Sequence, residues 1–427
     1  MVRRSSVVFA ALLITASYAA ASDWPQFRGP NGDGVSVEKG VATAWGAEKN
    51  IAWQVKIPGH GWSSPIISAD KVFVTSAVQE QAPVDDEHRG MYRWEIQCLD
   101  LATGETLWTR VAKKGEPSIP KHGDNTYATE TPATDGERVY AYFGMTGVFA
   151  YDFAGKLVWQ RDLGSYKMAA NFGTSSSPVI HDGKLFLQID NEESSFLVAL
   201  NAKTGEEAWR VSREEGSTWS SPLIWQNEVR VELITQGKRV RSYEPGSGAL
   251  LWEMDVRGGR ASASPTASGN VLYVGSEARR DGGGYLFAVK AGASGDITLA
   301  ADATKSDEVL WVRENAAPPM ASPLVYEGLV YALERQNGIV TAYDAQTGAE
   351  VYKSRLDGAR AFWAAPWAQD GKVFCLDDTG TTHVLKTGRE FEVLAQNSIP
   401  GRFWASAATA RGTLLLRSED QLYSIAR

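Results

Sequence analysis

Two cysteines and five histidines in 427 residues leave little material for metal or redox chemistry. Two thiols permit at most one disulfide, and Cys98 and Cys375 fall in different repeats of the pattern described below, so two buried free thiols are expected. The histidines, at 60, 88, 122, 181 and 383, show no short zinc-type spacing. No Gly-x-Ser-x-Gly elbow and no phosphate loop occurs. No long segment carries 3.6-residue apolar periodicity, which argues against a helical fold. A formal net charge of −8 argues against nucleic acid as a partner, which would need clustered positive charge, and disfavours adhesion to anionic lipid.

Long apolar runs are also missing beyond the N-terminus, so no transmembrane segment is expected. At that end Arg3 and Arg4 precede the apolar stretch from Val7 to Ile14, and Ala19-Ala20-Ala21 offers small residues for cleavage. The pattern predicts a secretory signal over residues 1–21 and a soluble, monomeric protein in the periplasm or outside the cell. Removing it leaves 41 basic against 51 acidic residues, a net of −10. With no cysteine near the cleavage site, a lipid anchor is not expected.

What the chain does have is glycine, tryptophan and a repeat. A small-residue step ending in proline recurs at Pro65, Pro132, Pro178, Pro222, Pro265, Pro323 and Pro366. An eighth copy, Ser406-Ala407-Ala408, has no proline, and its alignment on Ala408 gives intervals of 67, 46, 44, 43, 58, 43 and 42 residues. A period near 43 with occasional insertions signals a blade repeat. Each copy predicts four short antiparallel strands. In the third, Val179-Ile180 opens the inner strand, 185–189 and 196–200 follow, and an Asn201-to-Glu206 turn leads into a last strand with Trp209.

The turn-plus-tryptophan element recurs at Trp108, Trp159, Trp209, Trp252 and Trp311, each placed to bury a ring against the neighbouring blade for about 2–3 kcal/mol. The last copy ends at Ile425 without this element. The missing piece, with Trp53, lies at 51–55, so the N-terminal strand is expected to complete the last blade and remove the open edges. The predicted fold is all-β: an eight-bladed propeller over 51–427, preceded by an arm over 22–50.

The Asp-x-x-Thr-Gly-Glu-x-x-Trp element and the Ser-Ser-Pro step resemble those of the pyrroloquinoline-quinone (PQQ) repeat propellers, which include quinoprotein alcohol dehydrogenases and BamB-type outer-membrane assembly factors. The resemblance covers about residues 45–427. It implies one of two functions: a non-catalytic scaffold that binds an envelope or extracellular protein, or a PQQ- and calcium-dependent oxidoreductase acting on alcohols or sugars. For the second, Asp124 and Glu130 are the candidate metal ligands or base, but the adjacent-cysteine pair of the dehydrogenases is absent.

Longer loops concentrate on the face that carries the connections between blades, and long loops on a rigid scaffold tend to carry function. They span 79–93, 113–127, 161–173, 190–195 and 277–284, whereas only 291–307 falls on the other face. On the loop-bearing face, Trp62, Trp219 and Trp363 stand three places before proline, with His60, Arg260, Arg402 and Trp404 nearby. Such a collar has two readings. It is a mouth for a small planar, anionic or carbohydrate-like ligand, held by stacking and bidentate contacts, or it is a plug that keeps water from the axis.

Overall fold

The computed structural model describes residues 23–85, 88–277 and 284–426, so the signal expected at 1–21 lies outside the described residues. Blade III shows how a repeat becomes a sheet. Pro178 donates no backbone hydrogen bond and favours an extended Ser177, and the innermost strand begins just after it, at Val179–His181. Asp182 and Gly183, at φ 45° and 68°, turn the chain back as a two-residue hairpin. Lys184–Ile189, Phe196–Asn201 and Glu207–Ser212 complete four antiparallel strands. The middle strands are almost wholly buried because neighbouring blades cover both of their faces.

Eight such sheets surround one axis. Blades I to VII span 66–115, 133–161, 179–212, 223–255, 266–313, 324–355 and 367–398. Blade VIII joins the strands of 408–425 to Ile51–Lys56, which pairs antiparallel with Gln421–Ile425 and closes the ring. Blade IV has a fifth strand: Gly295–Asp296, from the 291–307 insertion of blade V, pairs in parallel with Leu250–Asp255. Helical structure among the described residues is limited to two short 3-10 turns. None of it is long and apolar enough to cross a membrane.

The core lies between blades. Five of the outer-strand tryptophans donate from Nε1 to a backbone carbonyl in the turn of the next blade: Trp53 to Leu101, Trp108 to Phe153, Trp159 to Ala202, Trp209 to Pro245 and Trp311 to Ala345, all at 2.9–3.1 Å. In each case the turn glycine lies flat against the ring. A Cβ at Gly104, Gly155, Gly205, Gly248 or Gly348 would sit 2.6–2.8 Å from the indole, and every one of these glycines has positive φ. Trp252 differs. Its Nε1 donates to the Glu232 carboxylate within blade IV at 2.7 Å, and its backbone pairs with Gly295 of the added strand. Cys98 faces Trp108 across the strand pair, as Ala150 faces Trp159 and Ala199 faces Trp209. Both cysteines are buried and unpaired, and burial pushes the Cys98 thiol up to about 12.

Residues 24–38 cross the axis on the face away from the inter-blade connections and touch every blade. Trp24 bridges Ile67, Pro25 accepts from Thr134, Gln26 from Ile180, and Gly32 abuts Leu223. Arg28, fully buried, donates to the Pro265 and Pro323 carbonyls of blades V and VI at 3.5 and 2.6 Å. Gly34 and Ser36 pair with Ala368, and Glu38 accepts from Gly412. The arm therefore stoppers one end of the axis.

Candidate functional site

The residue before each proline has a second task. Its hydroxyl accepts the backbone N–H of the equivalent residue one blade back. The links run Ser64 to Thr131, Thr131 to Ser177, Ser177 to Ser221, Ser221 to Ser264 and Ser264 to Ser322, then Ala365 to Ser406 and Ser406 to Ser64, at 2.9–3.0 Å. The belt breaks once, between Ser322 and Ala365, because alanine offers no hydroxyl. It also corrects the register of the last copy. Ser406 holds the pre-proline position, so Ala407, not Ala408, stands in the proline slot and the final interval is 41 residues.

Above this belt lies a cavity of about 420 Å³, open at the loop-bearing face. Its floor includes Phe27 of the arm, and its wall is the belt. The next layer up is a ring of the eight residues three places before proline: Trp62, Thr129, Ser175, Trp219, Ser262, Met320, Trp363 and, in the corrected register, Trp404. His122, Asp124, Asn125, Phe172, Arg260, Glu277 and Arg335 complete the lining. Three of the longer loops thus reach the cavity directly: 113–127 through His122, Asp124 and Asn125, 161–173 through Phe172, and 277–284 through Glu277.

The tryptophans of blades VII, VIII and I form one continuous stack. Trp363 and Trp404 lie 3.8 Å apart at 12°, and Trp404 and Trp62 lie 5.0 Å apart at 22°. Arg402 covers Trp62 and Trp404 at 5.4 and 5.0 Å, while Arg335 lies over Trp363 at 4.4 Å. Trp62 is buried and donates to the Asp124 carbonyl. Trp219 is half-buried, donates to Gly173 and meets Phe172 edge-on. Among the candidates read from the sequence, Trp62, Trp219, Arg260, Trp363, Trp404 and Asp124 line the cavity. Arg402 backs it through the stack and an ion pair with Asp124 at 2.7 Å. His60 lies outside the lining, with its ring 3.3 Å from Glu419.

Sequence reasoning missed Phe27, His122, Phe172, Glu277 and Arg335 as lining residues. The first belongs to the non-repeating arm. Arg335 follows the second strand of blade VI, on the loop-bearing face, and the loop rule alone could have flagged it.

A calcium-held quinone does not fit these residues. Asp124 sits on the rim, committed to Arg402. Glu130 lies buried between blades II and III, outside the lining, where burial pushes its carboxyl up to about 7 and leaves Oε1 without a hydrogen-bond partner. The remaining lining carboxylate, Glu277, accepts from Ser262 at 2.6 Å on the opposite side. Asp190 is bound bidentately by Arg213, both fully buried. Among the described residues no three His, Cys, Asp or Glu side chains gather to hold a metal ion.

Comparison with known proteins agrees with this architecture. The chain is 23% identical over 241 residues to the outer membrane protein assembly factor BamB of Moranella endobia strain PCIT, covering 56% of this chain and 53% of that one. It therefore spans about half the length of that curated relative. The crystal structure of BamB from Moraxella catarrhalis superposes with a TM-score of 0.60 at 14% identity, over 88% of this chain and 97% of that one. A europium-containing methanol dehydrogenase superposes with a TM-score of 0.65 at 10% identity, over 95% and 98%, which shows a shared fold. The family model described as outer membrane protein assembly factor BamB matches residues 30–187 and 92–354, more than half of the sequence, and the chain belongs to that family.

Proposed function

We propose that the protein is a non-catalytic binding propeller of the periplasm or cell exterior, engaging another envelope protein through its loop-bearing face and axial mouth. The observation that carries this reading is the state of the mouth's ionisable groups. Asp124 is held by Arg402, with the His122 ring 3.5 Å away, and Glu277 accepts from Ser262, so the mouth is dominated by stacked indoles and arginines, and among the described residues no three metal-ligating side chains gather there. Stacked aromatics and arginine are also the side chains enriched at protein-binding hot spots. The name shared by the relatives, outer membrane protein assembly factor, points to a partner from that machinery.

The test places a photo-crosslinking residue at His122 or Arg402 on the mouth face, and at Thr103 or Gln346 in turns of the opposite face, in cells carrying the native envelope. Crosslinks to one envelope protein from the mouth positions only are expected. Crosslinks confined to the opposite face would overturn the surface assignment. Purified protein that reduces a dye with alcohols or sugars after addition of PQQ and Ca²⁺ would overturn the non-catalytic reading.

A further inference from the structure

The arm makes the axial cavity blind, and this limits what can enter. A polypeptide cannot pass from face to face. A volume of about 420 Å³ accepts a chain end, a side chain or a small molecule through the single mouth.

Three unused hydrogen-bond donors of the cavity lie on the blade V–VI side, and another, Trp404 Nε1, lies on blade VIII. Arg260, just before blade V, and Arg335, in blade VI, both line it, and among the described residues neither guanidinium has a hydrogen-bond or ion-pair partner. The carboxylate of Glu192, whose charge Arg260 feels, is already engaged by the Ser217 N–H. The third donor is the backbone N–H of Ser322, stranded by the alanine at 365 where the hydroxyl belt breaks. Next to these donors lies the side chain of Met320, and Arg335 itself caps the Trp363 end of the indole stack. On the far side of the cavity, Asp124 is neutralised by Arg402. One lining carboxylate, Glu277, also lies on this side, where it accepts from Ser262; two guanidiniums against that single charge, in a pocket that admits only an end or a side chain, suit a carboxylate with an aromatic neighbour.

We propose that the blade V–VII side of the cavity reads a peptide carboxylate, received by Arg260, Arg335 and the Ser322 N–H, with an adjacent aromatic side chain resting on Met320 and on the Arg335 guanidinium that caps Trp363. The inference rests on the protein-binding function proposed above and names the chemistry that function would recognise. The carboxylate has two sources, a chain terminus or an aspartate or glutamate side chain.

The test titrates the full purified protein with short peptides, followed by tryptophan fluorescence and calorimetry. One peptide ends in phenylalanine with a free carboxylate, a second is its C-terminal amide, and a third is amidated but has aspartate beside phenylalanine. The first or third should bind, showing which source is read, and the second should bind at least tenfold more weakly. Arg335→Gln and Arg260→Met should each weaken binding of the preferred peptide about tenfold to a hundredfold, as expected for hydrogen bonds to a charged group. Ala365→Ser, which supplies the missing acceptor for Ser322, should weaken it several-fold while the protein stays folded. Equal binding of acid and amide, no binding of any peptide, or wild-type affinity in both arginine variants would each overturn the inference. Mouth-face crosslinks to an envelope protein alongside such a result would leave the scaffold reading intact and remove this one alone.

Discussion

The contact between turn glycine and outer tryptophan makes a prediction that single substitutions cannot mimic. Trp159 is 8% exposed, donates to the Ala202 carbonyl at 2.9 Å and packs on Tyr140 at 5.8 Å. Trp159→Ala should therefore cost about 3–5 kcal/mol, the range for a buried large aromatic. Gly205→Ala has two separate penalties. At φ +69° an L-residue costs about 1–2 kcal/mol, and a Cβ placed 2.6 Å from Trp159 forces the ring to move, an overpacking cost of about 1–3 kcal/mol. In the Trp159→Ala background the ring is gone and only the backbone penalty remains. The double variant should thus be about 1–3 kcal/mol more stable than the sum of the two single effects. Equilibrium urea unfolding followed by circular dichroism, at constant m, measures each corner of the cycle. If Gly205→Ala costs the same with and without the indole, the glycine is there for its backbone angle alone and the docking argument fails.

Three further outcomes follow from the same geometry. Ala365→Ser should complete the hydroxyl belt and raise stability by about 0.5–1.5 kcal/mol, a net hydrogen bond, read as a higher urea midpoint. Glu130 carries its proton in the folded state up to about pH 7, whereas the unfolded chain loses it near the ordinary 4.5. Stability should therefore fall as pH rises across that window, by about 3 kcal/mol in all, and Glu130→Gln should flatten the dependence. Trp363→Ala should reduce peptide binding while shifting the melting temperature far less than Trp159→Ala, because Trp363 is half-buried at the mouth; an equal loss of stability would make the collar a plug.

How much of this could be read from the chain depended on whether a feature repeats. The proline step and the tryptophan recur near every 43 residues, so blade number, strand order and closure through 51–56 were visible, as was the small slot that Cys98 shares with Ala150 and Ala199. Where the cue vanished, the register slipped: without a proline, the last copy was aligned one residue late, and only the Ser406 links correct it. The hydroxyls of the step were in plain view, but their partners are one blade away, such as Ser221 and Ser264 at a separation of 43. The arm repeats nothing. Its key contact, Arg28 to Pro323, spans 295 positions, so neither the stopper nor Phe27 as the cavity floor could be inferred. The insertion at 291–307 was legible as an insertion, but not the parallel pairing of its Gly295–Asp296 with Trp252 and Glu253, which depends on a partner in the preceding blade.

A ring with eight identical links would satisfy every axial N–H and give a ligand no preferred orientation. This ring departs from that symmetry at Ala365, and the departure coincides with other irregularities. The stranded Ser322 N–H, Arg260 and Arg335 without an acidic partner, and the end of the indole stack that Arg335 caps all belong to blades V to VII. On the blade I–II side, by contrast, the ionisable rim group Asp124 is matched by Arg402, and Trp62 is closed over by its bond to the Asp124 carbonyl. Random drift around a structural ring would scatter unmatched donors. Here three of them share one sector of a blind cavity, next to the sole broken link of the belt, with Trp404 Nε1 of blade VIII outside it. The belt residues that are hydrogen-bonded hold the ring together. The one position that gives up its bond, at a cost of about 0.5–1.5 kcal/mol, leaves an unpartnered donor in the cavity-lining belt, which we assign to an incoming carboxylate.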